Sequence, residues 1–284
     1  MTNSCVYSSA NGGLCVTKCS GCVNFSQYEM EVPMSISPHL VFKEELSQIF
    51  DDRVLYIVNH ILRIAPLYFY IIPASTTGKY HSKQDLGIQG LVRHTRSDVR
   101  VLLEVCKNEA FGIWTDYEID VAIAALILHD CVKCGFDGSD HTVHTHPILV
   151  KGLCPDFGDD ECNKIWDDIT SLIASHSGQW TKDKYNPEAQ ELPRPQTPLQ
   201  KLVHQCDYIA SRKVITIDLD VPFVRERPKK ASQDQMKYLY DLTEMIKQKG
   251  REVPEEVLKY DFSDPKSVDI SKFINLCKDI AYRR

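Results

Sequence analysis

The sequence predicts an all-α protein, a helical bundle with an extension at either end. Apolar residues recur at three- and four-residue intervals through most of the chain. Two helix starts are legible from their capping residues, at Thr115 and at Thr197. Against them stands one short stretch, ITIDLDVPFV at 215–224, which reads as a strand pair or an extended arm.

The elements follow in order. Residues 1–35 are polar and show no helical period, with Cys5, Cys15, Cys19 and Cys22 spaced C-x9-C-x3-C-x2-C. Four thiolates could hold a structural zinc, but the spacing matches no common finger, and a polar tail is the preferred reading. From about 40 to 75 the chain turns apolar and helical, and Pro66 should end one helix there. After the loop ASTTGKYHSKQDLGIQG, four segments with helical periodicity follow. The stretch 181–198 between the third and fourth is read as a surface loop rather than a mobile flap, and helices near 233–248 and 269–282 close the chain.

Each of the four segments carries a polar residue at or beside its apolar face. The first, 89–106, has a stripe of Leu91, Val92, Thr95, Val99, Leu102 and Leu103, with His94 beside it. The second, 116–130, starts at a Thr115–Glu118 capping box, is apolar on every side from Ile119, and ends in His129 and Asp130. In the third, 160–176, the face Ile165, Trp166, Ile169, Leu172, Ile173 leads to His176. The fourth has Thr197 as N-cap and Pro198 at the first helical position. Asp207 shares the face of Leu199, Leu202, Val203, Cys206 and Ala210.

A lone histidine on an apolar face is usually a core histidine with a hydrogen-bond partner. Aspartates there are different, because burying an ionised carboxylate costs several kcal/mol unless it is paired or binds a metal. The sequence shows no lysine or arginine at a matching core position, so one or two divalent cations are the expected compensation. His146, in HTVHTHPILVKG, is a further candidate, while His141 and His144 read as substrate contacts or loop residues, His141 more readily as the latter.

The order His94, His129-Asp130, His146, His176, Asp207 resembles the HD-domain superfamily of metal-dependent phosphohydrolases, in its six-ligand, two-metal form. KYHSKQDLGIQGLVRHT (79–95), LHDCVKCG (128–135), HPILVKG (146–152) and DYIASRK (207–213) resemble the family's segments, with Val132 where the family usually has a glycine before the lysine. The resemblance implies a helical catalytic domain over 41–215, between a Cys-rich segment 1–40 and a helical extension 216–284. It implies that His94, His129, Asp130 and Asp207 hold one metal ion, that His146 and His176 complete a two-metal site, and that Asp130 bridges. Imidazole with carboxylate suits Fe or Mn, with Co, Ni or Zn as further candidates. Such ions activate a hydroxide for attack on phosphorus. Lys133 would then bind phosphate or orient the nucleophile, Arg212 would be a second phosphate clamp, and His81 and His144 weaker substrate contacts. Cys131 and Cys134, without counterparts in the family pattern, read as packing residues.

The net charge of −6 leaves no overall field for nucleic acid or anionic membrane. RERPKK at 225–230 reads as a solvated face. No stretch is long and apolar enough for a membrane span, no secretory signal is apparent, and eleven scattered cysteines suggest reduced thiols in the cytoplasm. A small phosphorylated substrate, a nucleotide above all, is expected, with oligomerisation open. The alternatives are a mixed-valence di-iron oxygenase with the same ligand set, a nuclease or phosphodiesterase, and a metal-stabilised regulatory domain.

Overall fold

A computed structural model of the chain describes residues 38–75, 78–138, 143–225, 230–263 and 265–282. The N-terminal cysteines Cys5, Cys15, Cys19 and Cys22, His141, and residues 226–229 of the basic run lie outside the described residues. The helices are α1 Pro38–Val41, α2 Lys43–Leu46, α3 Asp52–Ile64, α4 Gly90–Cys106, α5 Asp116–Leu128, α6 His146–Leu149, α7 Asp160–Ala174, α8 Pro198–Ala210, α9 Gln233–Gln248, α10 Glu255–Lys259 and α11 Ser267–Ala281. The fold is all-α. Among the described residues the β structure is a single isolated bridge between Lys230 and Lys266, so residues 215–224 form an arm and not a strand pair.

The chain divides into two compact units. The first contains the described residues up to Glu104 together with Asp120–Val224; the second contains Val105–Ile119 and the described residues from Arg225 onward.

In the first unit, the residues of α5 from Val121 to Leu128 are all buried, as its uniformly apolar sequence requires. Its one buried acid, Asp120, accepts hydrogen bonds from the amides of Phe50 (3.0 Å) and Asp51 (2.7 Å), at the start of α3. Asp51 in turn caps α3 by accepting from the amides of Arg53 and Val54. Helix α3 presents Val54, Ile57, Val58, Ile61 and Leu62 to the core, packs on α7, and stops at Ala65 before Pro66. Helix α7 buries Ile165, Trp166, Ile169, Leu172 and Ile173 and packs on α8. Each such side chain contributes about 1.5–3 kcal/mol by leaving water. Thr197 and Gln200 form a reciprocal capping box that fixes the start of α8.

In two places a helix stops short of its sequence-based end. The segment expected over 116–130 stops at Leu128, and that expected over 160–176 stops at Ala174. His129, Asp130 and His176 therefore stand on turns just past helix C-termini, where the carbonyls of the last turn have no helical partners.

The second unit is built on α9 and α11, whose Leu239, Leu242, Ile246, Ile270, Phe273, Ile274 and Cys277 form one core with Val257 of α10. The Thr115–Glu118 capping box is present here, with the Thr115 amide donating to Glu118 at 2.8 Å. Among the described residues no helix is long and apolar enough to cross a membrane.

Candidate metal centre

The turn positions of the histidines have a direct chemical consequence. The Nδ1 of His129 lies 2.7 Å from the Leu126 carbonyl, that of His146 2.8 Å from the Val143 carbonyl, and that of His176 2.7 Å from the Ile173 carbonyl. Each Nδ1–H donates to the oxygen three residues back. This fixes the tautomer and leaves the Nε2 lone pair as a potential metal ligand. The turn carrying His176 depends on Gly178, whose φ of +63° suits glycine. A Cβ there would meet the His204 ring at 2.1 Å, and His204 itself donates from Nδ1 to the His176 carbonyl at 2.6 Å.

These rings meet the carboxylates. His146 Nε2 is 2.7 Å from Asp130 Oδ1, and His129 Nε2 is 3.6 Å from Asp130 Oδ2. Asp207 Oδ1 lies 3.3 Å from His94 Nε2 and 4.0 Å from His129 Nε2. The His129 and His176 rings are 4.9 Å apart, and His146 and His176 5.5 Å. Thus His94, His129, Asp130, His146, His176 and Asp207, spread over more than a hundred residues, converge on one cluster.

A seventh residue belongs to it. Asp98, one turn after His94 on α4, is fully buried, with Oδ1 3.4 Å from His94 Nδ1 and Oδ2 3.9 Å from His129 Nε2. The sequence reading passed over it because Arg96, Ser97 and Arg100 make RSDVR look like a solvated face. A signal was present: position 98 is seven residues after Leu91 and four before Leu102, on the stripe of core residues.

The expectation that no lysine occupies a matching core position fails at Lys133. Its side chain is 16% exposed, and Nζ lies 2.5 Å from Asp130 Oδ2. It sits in the turn that follows α5, so its stem is buried while its ammonium reaches back over the cluster. Burial alone would raise the Asp130 carboxyl, yet Lys133, His129 and His146 together hold it well below the usual carboxylate range. Burial likewise opposes ionisation of Asp207, but the hydrogen bond from His94 and the nearby imidazoles His129 and His176 hold it low. Burial, reinforced by the neighbouring imidazoles His129 and His146, lowers His176 to about 3. Asp98 goes the other way: burial, with the like charges of Asp207, Asp130 and Asp85, pushes it well above the ordinary range.

One lysine cannot balance three carboxylates, two of them buried and the third, Asp207, 19% exposed, and the cluster keeps orphaned polar atoms. Both oxygens of Asp98, Nδ1 of His94 and Nε2 of His129 are buried without hydrogen-bond partners. Ligand atoms of His94, Asp98, His129 and Asp207 all lie within 4.8 Å of one another, and those of His129, Asp130 and His176 form a second such group. Mixed nitrogen and oxygen donors at this spacing fit a divalent metal ion.

The family profile of the HD domain matches residues 92–212. These residues are similar to the HD domain over somewhat less than half of the chain. The matched span contains the whole His/Asp cluster, Asp98 included. No curated protein and no solved structure matches the chain.

Around the His/Asp cluster, the other candidate residues take varied places. His81 stands edge-on to His94 with ring centroids 4.7 Å apart, and its buried Nδ1 has no hydrogen-bond partner. His144 donates from Nε2 to the Thr181 carbonyl at 3.1 Å and so holds the loop that follows α7. Arg212 does not extend alone from the end of α8. Its guanidinium lies 4.0 Å from the centroid of Tyr208 and 5.5 Å from that of Tyr80, and Nε donates to the Tyr208 carbonyl. Tyr208 is also stacked on Trp180, at 5.9 Å and 14°. The result is a ladder Tyr80–Arg212–Tyr208–Trp180, with the three rings 50%, 39% and 51% exposed. Sequence reasoning missed it, since its rings come from three separate segments. Cys131 and Cys134 are buried, in keeping with a packing role.

Proposed function

We propose that this protein is a metal-dependent phosphohydrolase that cleaves a phosphoester or phosphoanhydride bond of a nucleotide. The observation that carries the reading is the convergence of four imidazoles and three carboxylates, two of them buried, with orphaned polar atoms, in a segment that matches the HD domain. His94, His129, Asp130 and Asp207 would hold one divalent transition-metal ion, Fe or Mn before Co, Ni or Zn. His146 and His176, sharing Asp130, would hold a second. When bound, such ions supply Lewis acidity toward phosphoryl oxygen and bring the pKa of water near neutrality.

The chain's own groups do the rest. Asp130, kept ionised by Lys133, His129 and His146, stays a charged ligand through neutral pH. The Lys133 ammonium, on the edge of the cluster, can receive a phosphoryl oxygen as well as Asp130. Asp207, with 19% of its side chain exposed, marks the side on which the cluster opens to solvent. Tyr208, the next residue in α8, stacks on Trp180, and both are partly exposed, so that a nucleobase can stack on them. Arg212 braces that ladder, His81 stands against His94, and His144 holds the Thr181 loop next to Trp180. A nucleotide is supported over a simple phosphoester because the same unit carries both phosphate-directed charge and base-sized exposed aromatic faces. Cysteine-rich composition without recognisable disulfide spacing supports a reducing, cytoplasmic setting.

The test is elemental analysis of protein purified without added metal, followed by phosphate release across nucleoside mono-, di- and triphosphates and cyclic nucleotides. Metal-dependent release that disappears in Asp130→Ala is expected. A protein that retains no transition metal, or one that consumes oxygen and releases no phosphate, overturns the proposal.

A further inference from the structure

Four imidazoles enter the cluster, and three of them have Nδ1 held by a backbone carbonyl at 2.7–2.8 Å. His94 is the exception. It sits inside α4, where the carbonyls of the preceding turn already accept helical hydrogen bonds, so the device used by the other three is closed to it. Its Nδ1 is buried without a hydrogen-bond partner, and Asp98 Oδ1 stands 3.4 Å away on the same helix. Asp98 is 0% exposed, and neither of its oxygens has a hydrogen-bond donor.

We propose that Asp98 is a positioning residue for the metal centre: its carboxylate takes the Nδ1–H of His94 and holds Nε2 toward the ion. The inference rests on the metal-binding reading given above and extends it to a residue outside the six-ligand set. Spacing on the helix makes the pairing local, because residues four apart lie on one face. A carboxylate on the distal nitrogen fixes the ring's tautomer and raises its basicity toward metal. It also adds a negative charge beside bound cations, which explains why a fully buried, unpaired aspartate is kept on an otherwise apolar stripe. Without cations that carboxylate is a liability to the fold.

The two consequences have opposite signs, and a purely structural role would not produce both. Asp98→Asn keeps the shape and removes the charge. By chelator competition with Mn(II) on the full chain, its metal affinity should fall about 10–100-fold. Its metal-free melting temperature should equal or exceed that of the wild type. In a His94→Ala background, Asp98→Asn should change affinity little further, since its effect passes through the missing ring. Asp98→Ser, smaller and uncharged, gives a second variant with the same expectation. Wild-type affinity in Asp98→Asn overturns the proposal while leaving metal binding by the cluster intact. A full loss that persists without His94 also overturns it, and makes Asp98 an independent ligand. A wild-type chain that binds no Mn(II) overturns this proposal together with the functional reading on which it rests.

Discussion

Trp180 and Lys133 perform different tasks in the proposed site, and single substitutions should separate binding from turnover. Trp180 is half exposed, stacks on Tyr208 and meets the cluster through His204, which holds the His176 carbonyl, so its loss removes base-sized surface while every candidate ligand remains. Base–aromatic stacking is worth about 1–3 kcal/mol. Trp180→Ala should therefore raise KM for the nucleotide about 5- to 150-fold with kcat nearly unchanged. Initial rates over a substrate series check this, and an unchanged KM would remove the ladder from substrate binding. Lys133 lies against Asp130, where negative charge must be balanced during phosphoryl transfer. Lys133→Met should lower kcat by about 10²-fold. Elemental analysis should still find bound metal, because the imidazoles and carboxylates remain. Wild-type turnover in that variant would confine Lys133 to charge compensation in the fold.

Between elements, Arg100 of α4 is the tie that holds the arm over 215–224. Its side chain is 8% exposed and pairs with Glu44 at 2.9 Å. It donates to the carbonyls of Leu219 and Val221, and its guanidinium lies 3.7 Å from the Phe223 ring centroid. Arg100→Ala should lower stability by about 2–3 kcal/mol, read from denaturant midpoints, and should open the arm to proteolysis. In the second unit, Asp269 accepts from the Tyr260 hydroxyl at 2.8 Å, and its pKa is raised, first by burial and then by nearby Asp116. A carboxyl raised in the folded state keeps its proton where the unfolded chain has lost it, so its contribution to stability falls as pH rises above the ordinary carboxylate range. Asp269→Asn should accordingly gain on the wild type as pH rises from about 4, by at most about 1.4 kcal/mol per pH unit. A constant gap across that range would refute the shift. Helices were the legible level of this fold, because α7, α8 and α9 carry their period and caps, and α5 its cap and unbroken apolar run, within a dozen or so residues. The ladder, the Gly178–His204 contact and the role of Asp98 were not legible as such. Each depends on side chains brought together by packing, and Asp98 was disguised by flanking arginines. The arm was ambiguous for a related reason: what decides its course is Arg100, more than a hundred residues away.

At the scale of the whole chain, bound metal should act on one unit and not on the other. The cluster lies within the first unit, on the turns after α5 and α7, the segment around α6, and helices α4 and α8. The second unit has its own core around Leu239, Leu242, Ile246, Ile270, Phe273 and Ile274. A ligand that binds only the folded state stabilises it by about 2.7 kcal/mol when present at a hundred times its Kd. Removing the ions also leaves Asp98 buried beside two other carboxylates with Lys133 as the nearby cation, so part of that stabilisation turns into repulsion within the cluster. Chelator treatment should lower the thermal transition of the first unit by several degrees. Hydrogen exchange should quicken at residues 129–135, 143–153 and 174–181 and along α8, while α9 and α11 keep their protection. Quickening spread evenly over both units would mean that metal holds the entire chain together. No quickening at the three turns would place the ions elsewhere, because those turns carry His129, Asp130, His146 and His176 and can have no other reason to respond to the chelator.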